Sequence, residues 1–146
     1  MTYYAVIDTN VLVSALLSKR DDAATVQVIE HMISGDVISV YSNATMAEYR
    51  EVLHRKKFRF PAELVEYLLS VVEKFGVLAE PAPTGAILPD MKDLPFYEVV
   101  MEKREDDTYL VTGNIKHFPK EPFIVTAREF LDILNGEHSL KMRDWE

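Results

Sequence analysis

Short apolar runs alternate along the chain with longer segments in which apolar residues recur at helical spacing. This alternation predicts an α/β fold. The first run, Tyr3–Ile7, has five apolar residues in a row, which is typical of a strand buried on both faces of a parallel sheet. The complete set of predicted strands is Tyr3–Ile7, Val37–Tyr41, Val77–Ala79, Tyr109–Thr112 and Phe123–Val125.

The segments between these strands place apolar residues on one helical face. Pro61 is predicted at the first position of one helix, Thr126 and Glu129 predict a capping box that opens the last helix, and Gly136 predicts its end. Glu80–Pro89 contains three prolines and a glycine, which predicts a loop. The predicted buried faces are Val26/Ile29/Ile33, Leu64/Leu68/Val72/Phe75, Phe96/Val99/Val100/Lys103 and Phe130/Leu131/Leu134.

The composition predicts one domain of ordinary size with a substantial core, since 48% of the 146 residues are hydrophobic. We assign residues 1–136 to this domain and residues 137–146 to a polar C-terminal tail, in which Trp145 packs either on the body or on a second subunit. The chain has no cysteine, which excludes disulfides and thiolate metal sites. No apolar stretch approaches the roughly 20 residues that span a bilayer, so we expect no membrane partner and a cytoplasmic location.

The net charge of −8 disfavours non-specific binding to nucleic acid through bulk charge. It does not exclude an enzyme that acts on nucleic acid, because a cluster of acids that holds divalent cations contributes to this count. The position of the acidic residues along the chain therefore matters more than their number.

Polar residues that can bind a metal recur near the predicted carboxyl ends of strands. Asp8 follows the first strand and Asn114 follows Tyr109–Gly113. Glu48 lies on the helix after the second strand, and Asp93 lies near the start of the helix after the proline loop. In a parallel sheet the strand ends lie on one edge, so these groups can converge there.

Each of these residues also has a purely structural interpretation. Asp8, Asp93 and Asn114 can be helix caps, Glu48 can complete a capping box with Thr45, and an Asn also tolerates a left-handed turn. Carboxylates that cluster repel one another, and a bound hard cation would explain why the protein keeps several of them together. Oxygen ligands without Cys or an obvious His set favour Mg²⁺ or Mn²⁺ over Zn²⁺, and such ions suit phosphate chemistry.

Four segments taken in this order resemble the PIN-domain nucleases, and the resemblance covers the chain from Tyr4 to about Leu134. It extends to the bacterial and archaeal group of toxin components of toxin–antitoxin pairs, similar to the VapC toxins. It implies a three-layer α/β/α sandwich with a parallel sheet of about five strands, and cleavage of single-stranded RNA by metal-activated water. The segments are Asp8–Leu12, Glu48–Leu53, Asp90–Phe96 and Tyr109–Asn114 with His117–Pro119.

The resemblance also implies roles for individual residues. Asp8, Glu48 and Asp93 match the metal ligands of the family and, with Asn114, its catalytic residues, while Asp90 matches an auxiliary acid. Asn114 stands where many members have Asp and supplies no charge, so the number of bound metals stays open. The implied cofactor is Mg²⁺ or Mn²⁺, and the implied partners are RNA, a cognate antitoxin protein and a second copy of the chain. The alternative is a catalytically weak or inactive PIN-fold module that binds RNA or protein.

The candidate RNA contacts are less specific. The segment His54–Phe60 mixes cations with aromatic residues, which suits a phosphate backbone and stacked bases. The same cations also suit a solvated helix end, where they complement the helix dipole. His117 is expected to be a loop or structural residue rather than a general base. The candidates for RNA binding are Arg55, Lys56, Lys57, Arg59 and Lys116.

A phosphohydrolase of the haloacid-dehalogenase class also places an Asp after its first strand. That class requires a second acid two residues further on, where this chain has Asn10. The comparison therefore fails at the residue that would serve as acid and base.

Overall fold

Six α-helices and five strands follow one another in the part of the chain that this computed structural model describes. That part is residues 2–143, with only the helical backbone for residues 137–143, so Trp145 lies outside it. The elements are β1 (Tyr3–Ile7), α1 (Thr9–Leu17), α2 (Ala24–Ser34), β2 (Val37–Tyr41), α3 (Asn43–Leu53), α4 (Ala62–Phe75), β3 (Val77–Leu78), α5 (Leu94–Glu102), β4 (Tyr109–Val111), β5 (Ile124–Val125) and α6 (Ala127–Arg143).

The five strands form one parallel sheet in the order β3-β2-β1-β4-β5. β1 is central, and its Ala5 lies opposite both Ser39 of β2 and Tyr109 of β4. The edge strands β3 and β5 have only two residues each, which limits the open backbone at the sheet edges. The predicted α/β fold class, with a parallel sheet of five strands flanked by helices, is confirmed.

The core is centred on β1, whose residues Ala5–Ile7 are fully buried, as its unbroken apolar run predicts. α5 packs against β1, β2 and β4, and it also contacts α3. Between these two helices the rings of Tyr49 and Phe96 lie 5.9 Å apart. The Tyr49 hydroxyl donates a hydrogen bond to the backbone oxygen of Ile7. This contact fixes α3 beneath the carboxyl end of the central strand.

The buried faces of α2 and α4 differ from the predicted ones. Leu64 and Phe75 of α4 are 44% and 68% exposed, and Ile33 of α2 is 43% exposed. Both helices carry apolar residues at neighbouring positions, so the face that packs inward is rotated relative to the predicted face and shares only Ile29, Leu68 and Val72 with it. The buried residues are Val28, Ile29 and Met32 in α2 and Val65, Leu68, Leu69, Val71 and Val72 in α4.

The ends of the last helix are only partly as predicted. The capping box is confirmed, since Thr126 N donates to Glu129 Oε1 at 2.9 Å and Glu129 N donates to Thr126 Oγ1 at 3.1 Å. The predicted end at Gly136 is wrong, because α6 continues through it to Arg143. The residues after Gly136 include good helix formers, and one glycine within a helix costs only about 0.5–1 kcal/mol.

Two further predictions can be compared with the structure. Pro61 lies one residue before the first helical position of α4 rather than within the helix. The loop predicted over residues 80–89 is present.

In the part of the chain that the structure describes, no helix combines the length and the apolar character that crossing a membrane requires.

The continuous helix at Gly136 predicts opposite effects of alanine at two glycines. Gly136→Ala should raise the free energy of unfolding by about 0.5–1 kcal/mol, because an added Cβ meets no atom within 4 Å. Gly35→Ala should lower it by about 1 kcal/mol, because Gly35 has φ +91. Urea denaturation of both variants measures this. Destabilisation by Gly136→Ala would contradict a helix that continues through this position.

Candidate active site at the carboxyl edge of the sheet

Asp8 follows β1 directly, and its side chain is buried, with 3% of the residue exposed. The backbone N–H of Asp8 donates to the Val111 oxygen at 2.9 Å, which brings the ends of β1 and β4 together. Asp8 Oδ2 accepts hydrogen bonds from Thr112 Oγ1 at 2.7 Å and from Asn10 Nδ2 at 3.2 Å. Asp8 occupies the cap position of α1, but its side chain makes no capping hydrogen bond. The carboxylate is therefore held by the strand ends rather than used as a helix cap.

The turns after β1 and β4 are tied together by further hydrogen bonds. Asn10 Oδ1 accepts from Gly113 N at 3.0 Å, and Thr112 Oγ1 accepts from Asn114 N at 3.0 Å. Asn114 itself is exposed, its side chain makes no capping hydrogen bond, and its φ is −118. Both structural interpretations of Asn114, as a side-chain cap and as a left-handed turn residue, are therefore wrong.

Glu48 is brought to this edge by α3. The capping box of α3 is formed by Ser42 and Thr45, so the alternative that Glu48 completes such a box is wrong. Glu48 is half-buried, and its Oε2 accepts a hydrogen bond from the hydroxyl of Thr9. Because Thr9 is the residue after Asp8, this bond holds the Glu48 carboxylate next to the end of β1.

Asp93, the residue directly before α5, lies at the same edge. It occupies the cap position of that helix without a capping hydrogen bond, and its Oδ2 lies 3.0 Å from His117 Nδ1. Asp90, Asp93 and His117 each offer a metal-ligand atom, and these atoms lie within 4.8 Å of one another. Among the described residues, Asp8 and Glu48 do not join that group. The structure thus brings Asp90 and His117 closest to Asp93.

The carboxylates at this edge lie close enough to raise the pKa of one another. Burial, and then the charges of Asp93 and Glu48, raise the pKa of Asp8 to about 6, against the hydrogen bond from Thr112. Burial and the charge of Asp93 also raise the pKa of Glu48. Burial raises the pKa of Asp93, and the charge of Asp90 adds to this effect. A bound cation would relieve this repulsion, so the donor set fits a hard divalent ion.

The chain that carries this arrangement matches a known protein family. The family model described as PIN domain matches residues 4–116, more than three quarters of the chain. This chain belongs to the PIN-domain family. PIN domains are generally nucleases and typically use divalent metals, so membership indicates a nuclease-type function. No curated protein and no solved structure matches the chain significantly.

Several polar residues of this PIN domain contact the candidate carboxylates but were not predicted to do so. Thr9 contacts Glu48, while Asn10 and Thr112 contact Asp8. All three lie within three residues of a strand end, and that position, beside the acids, is the signal that could have identified them. His117 was expected to be a loop or structural residue, yet it faces Asp93 across 24 positions of sequence, a contact that no local pattern indicates.

The basic segment that follows α3 lies next to the acidic edge. Arg55 donates two hydrogen bonds to Glu51, at 2.9 and 3.0 Å. The charge of Arg55 also lowers the pKa of Glu48, although the larger effect of burial raises it. Arg55 is therefore close enough to Glu48 to interact with its charge. Lys116 is exposed and precedes His117, which contacts Asp93. The charge of Arg55 therefore reaches Glu48, and Lys116 is next in sequence to the residue that contacts Asp93.

The backbone of the basic segment is fixed by aromatic packing. Phe60 packs against the core, and Phe58 stacks on it with ring centroids 5.3 Å apart and planes 6° from parallel. Lys57 Nζ lies 5.0 Å from the centre of the Phe58 ring. Arg59 has φ 57, a left-handed conformation that side chains other than glycine rarely adopt. The cations are thus presented from a packed segment rather than from a loose helix end.

The raised pKa of Asp8 predicts a specific pH dependence of stability. Between pH 3.8 and about 6 the folded protein binds more protons at Asp8 than the unfolded chain does, so stability falls as pH rises through this range. Over this range the free energy of unfolding of the wild-type protein should fall by about 3 kcal/mol because of Asp8, which corresponds to a shift of about two pKa units. Asp8→Asn should not show this fall. Urea denaturation in EDTA at pH 4, 5, 6 and 7 measures this difference.

Asp22→Asn is the matched control for this experiment, because Asp22 is exposed and pairs with Arg20. Its profile should keep the slope of the wild-type protein between pH 5 and 6. Parallel profiles for Asp8→Asn and the wild-type protein would contradict the burial of an ionised Asp8.

Proposed function

We propose that this PIN domain is a divalent-metal-dependent endoribonuclease that cleaves single-stranded RNA, with Asp8, Glu48, Asp93 and Asn114 as its catalytic residues. The observation that carries the proposal is the approach of three carboxylates, from β1, α3 and α5, at one edge of the sheet. Burial raises the pKa of all three, and the charge of Asp93 adds to this effect at Asp8 and Glu48, as the charge of Asp90 does at Asp93. A protein that needed only helix caps would not require this costly arrangement.

The proposed cofactor is Mg²⁺ or Mn²⁺. Asp8, Glu48 and Asp93 would hold the ion, with Asp90 as an auxiliary acid. When bound, the ion supplies a more acidic water and neutralises negative charge on the phosphate. The absence of a thiolate and the predominance of carboxylate oxygens support a hard cation over zinc.

The residues around the carboxylates have positioning roles in this proposal. Thr112 and Asn10 donate to Asp8 and so restrict the orientation of its carboxylate, and Thr9 does the same for Glu48. Outer contacts of this kind keep ligands in place before a cation binds. Asn114 can donate and accept hydrogen bonds without adding charge. We assign to it the orientation of a water or a substrate oxygen.

We propose further that the chain is the toxin of a toxin–antitoxin pair and acts as a homodimer in the cytoplasm. These assignments rest on the resemblance of the sequence to the VapC-like group. An Arg or Lys of an antitoxin would pair with the exposed parts of the acidic edge and compete with the cation. The alternative is an inactive PIN-fold module that binds RNA or protein, and the uncharged Asn114 is the observation that favours it.

The proposed function predicts metal-dependent cleavage that Asp8→Asn abolishes. Purified protein should cut a labelled single-stranded RNA with Mn²⁺ or Mg²⁺ and not with EDTA. Asp8→Asn should lower the rate by at least about 100-fold, since even outer-shell changes at metal sites cost up to that factor. Asp22→Asn removes an equal charge from an exposed position and should retain full activity.

The same proteins distinguish the alternatives. Equal cleavage by the wild-type protein and Asp8→Asn would identify a contaminating nuclease and contradict the assignment. No cleavage, together with a rise in melting temperature on addition of Mn²⁺ that Asp8→Asn abolishes, would favour the inactive metal-binding module.

The basic segment predicts that Arg59→Gly separates stability from RNA affinity. Glycine adopts the left-handed conformation of residue 59 without strain, so the free energy of unfolding should stay constant or rise by up to about 1 kcal/mol. RNA affinity should fall, and the slope of log K against log salt should decrease by about 0.7 if one phosphate contact is lost. Arg20→Gly, at an exposed position in the connection between α1 and α2, is the control. Unchanged affinity and slope would exclude Arg59 from the RNA interface.

A further inference from the structure

A cleft of about 300 Å³ opens at the same edge of the sheet as the carboxylates. It lies between the first turn of α3, the proline loop after β3 and the first turns of α5. None of the candidate catalytic residues lines it. Its walls include Asn43, Ala79, Glu80, Pro81, Pro95 and Glu98.

The strand order places this cleft close to the catalytic edge. Asn43 follows β2 and Ala79 follows β3, and these are the first and second strands beside β1 on that side. Strands in a sheet lie about 4.8 Å apart, so the cleft begins roughly 5–10 Å from the end of β1. Pro95 is two residues after Asp93 on the same turn, so one structural element borders both places. A nucleotide next to a phosphate held by the carboxylates can reach the cleft.

The loop that forms one wall of the cleft is held in place by α5. Glu98 Oε2 accepts hydrogen bonds from Thr84 N at 2.7 Å and from Thr84 Oγ1 at 3.1 Å. Glu102 Oε1 accepts one from Ala82 N at 3.0 Å. The long connection between β3 and α5 is therefore anchored on both sides of Pro83, and the cleft has a defined shape.

The chemistry of the walls suits a flat ring with polar edges. Proline and alanine side chains supply apolar surface against which a ring can pack. Glu80 is exposed, and among the described residues its carboxylate makes no hydrogen bond or ion pair. Asn43, in the first turn of α3, offers an amide that both donates and accepts. A volume near 300 Å³ is at the lower limit of ligand pockets and suits a single base.

We propose that this cleft binds the guanine base of the nucleotide beside the cleaved phosphate, which rests on the proposed ribonuclease function. Guanine carries two adjacent donors, N1–H and N2–H₂, and these match the two oxygens of the Glu80 carboxylate. Its O6 accepts from the Asn43 amide. Adenine, cytosine and uracil lack two adjacent donors of this kind on one edge. Glu80 is thus a specificity residue of the PIN domain.

Neutral nucleosides test this proposal independently of metal and of cleavage. We would titrate the full chain in EDTA with guanosine, inosine, adenosine, cytidine and uridine and follow the backbone amide signals by NMR. Guanosine should shift the signals of Asn43, Ala79 and Glu80 at a concentration at least tenfold lower than adenosine, cytidine or uridine. Inosine, which lacks the 2-amino donor, should bind more weakly than guanosine.

Two variants complete the experiment. Glu80→Gln keeps the shape of the side chain but offers one acceptor oxygen instead of two, so the preference for guanosine should fall at least tenfold. Glu30→Gln removes the same charge from α2 outside the cleft and should leave the preference unchanged. Equal shifts with all nucleosides, no shifts with any of them, or an unchanged preference in Glu80→Gln would overturn the proposal.

The failure of this proposal and that of the proposed function give different results. A protein that binds guanosine in the cleft but cuts no RNA with Mn²⁺ keeps the base site and loses the ribonuclease assignment. A protein that cuts RNA with equal rates before and after G, A, C and U has the activity without the base site.

Discussion

The burial of the Asp8 carboxylate at the end of the central strand is the constraint on which the surrounding structure depends. A carboxylate removed from water is costly, and here two further carboxylates lie near it. Hydrogen bonds from Thr112, in the turn after β4, and from Asn10 offset part of this cost. The Tyr49 hydroxyl satisfies the last carbonyl of β1 from below. The end of β1 is thus held by polar contacts from the turn after β4, from Asn10 and from α3.

The distribution of charge matters for the proposed action of this acidic protein on an anionic polymer. The chain carries 24 acidic and 16 basic residues, so its overall field repels nucleic acid. Its basic residues are nevertheless not spread evenly, because Arg55, Lys57 and Arg59 belong to one packed segment beside α3. The stacked rings of Phe58 and Phe60 lie in the same segment and restrict its backbone, and a pre-ordered contact loses less entropy when it binds. In the proposed function, this local order would offset part of the repulsion that the net charge causes.

The fold was more predictable from the sequence than the site. All five strands were located to within one residue, because each is a short segment dominated by apolar residues and bounded by polar or loop-forming ones. Helix faces were less certain, since α4 has apolar residues at so many positions that spacing permits two faces. The end of α6 was predicted wrongly because a glycine can occur either within a helix or directly after its end, and spacing alone does not distinguish these cases at Gly136. The carboxyl edge was predicted from Asp8 and Asn114, but His117 beside Asp93 depends on a contact that only the folded chain shows.

The position of β1 at the centre of the sheet has a consequence for translation. Asp8 and Thr112 are separated by 104 residues, and their hydrogen bond cannot form until β4 has left the ribosome. A nascent chain that ends before β4 already contains Asp8, Glu48 and Asp93, but its first strand is paired on one side only. The acidic edge around Asp8 therefore reaches its final geometry late in synthesis, when most of the polypeptide has emerged.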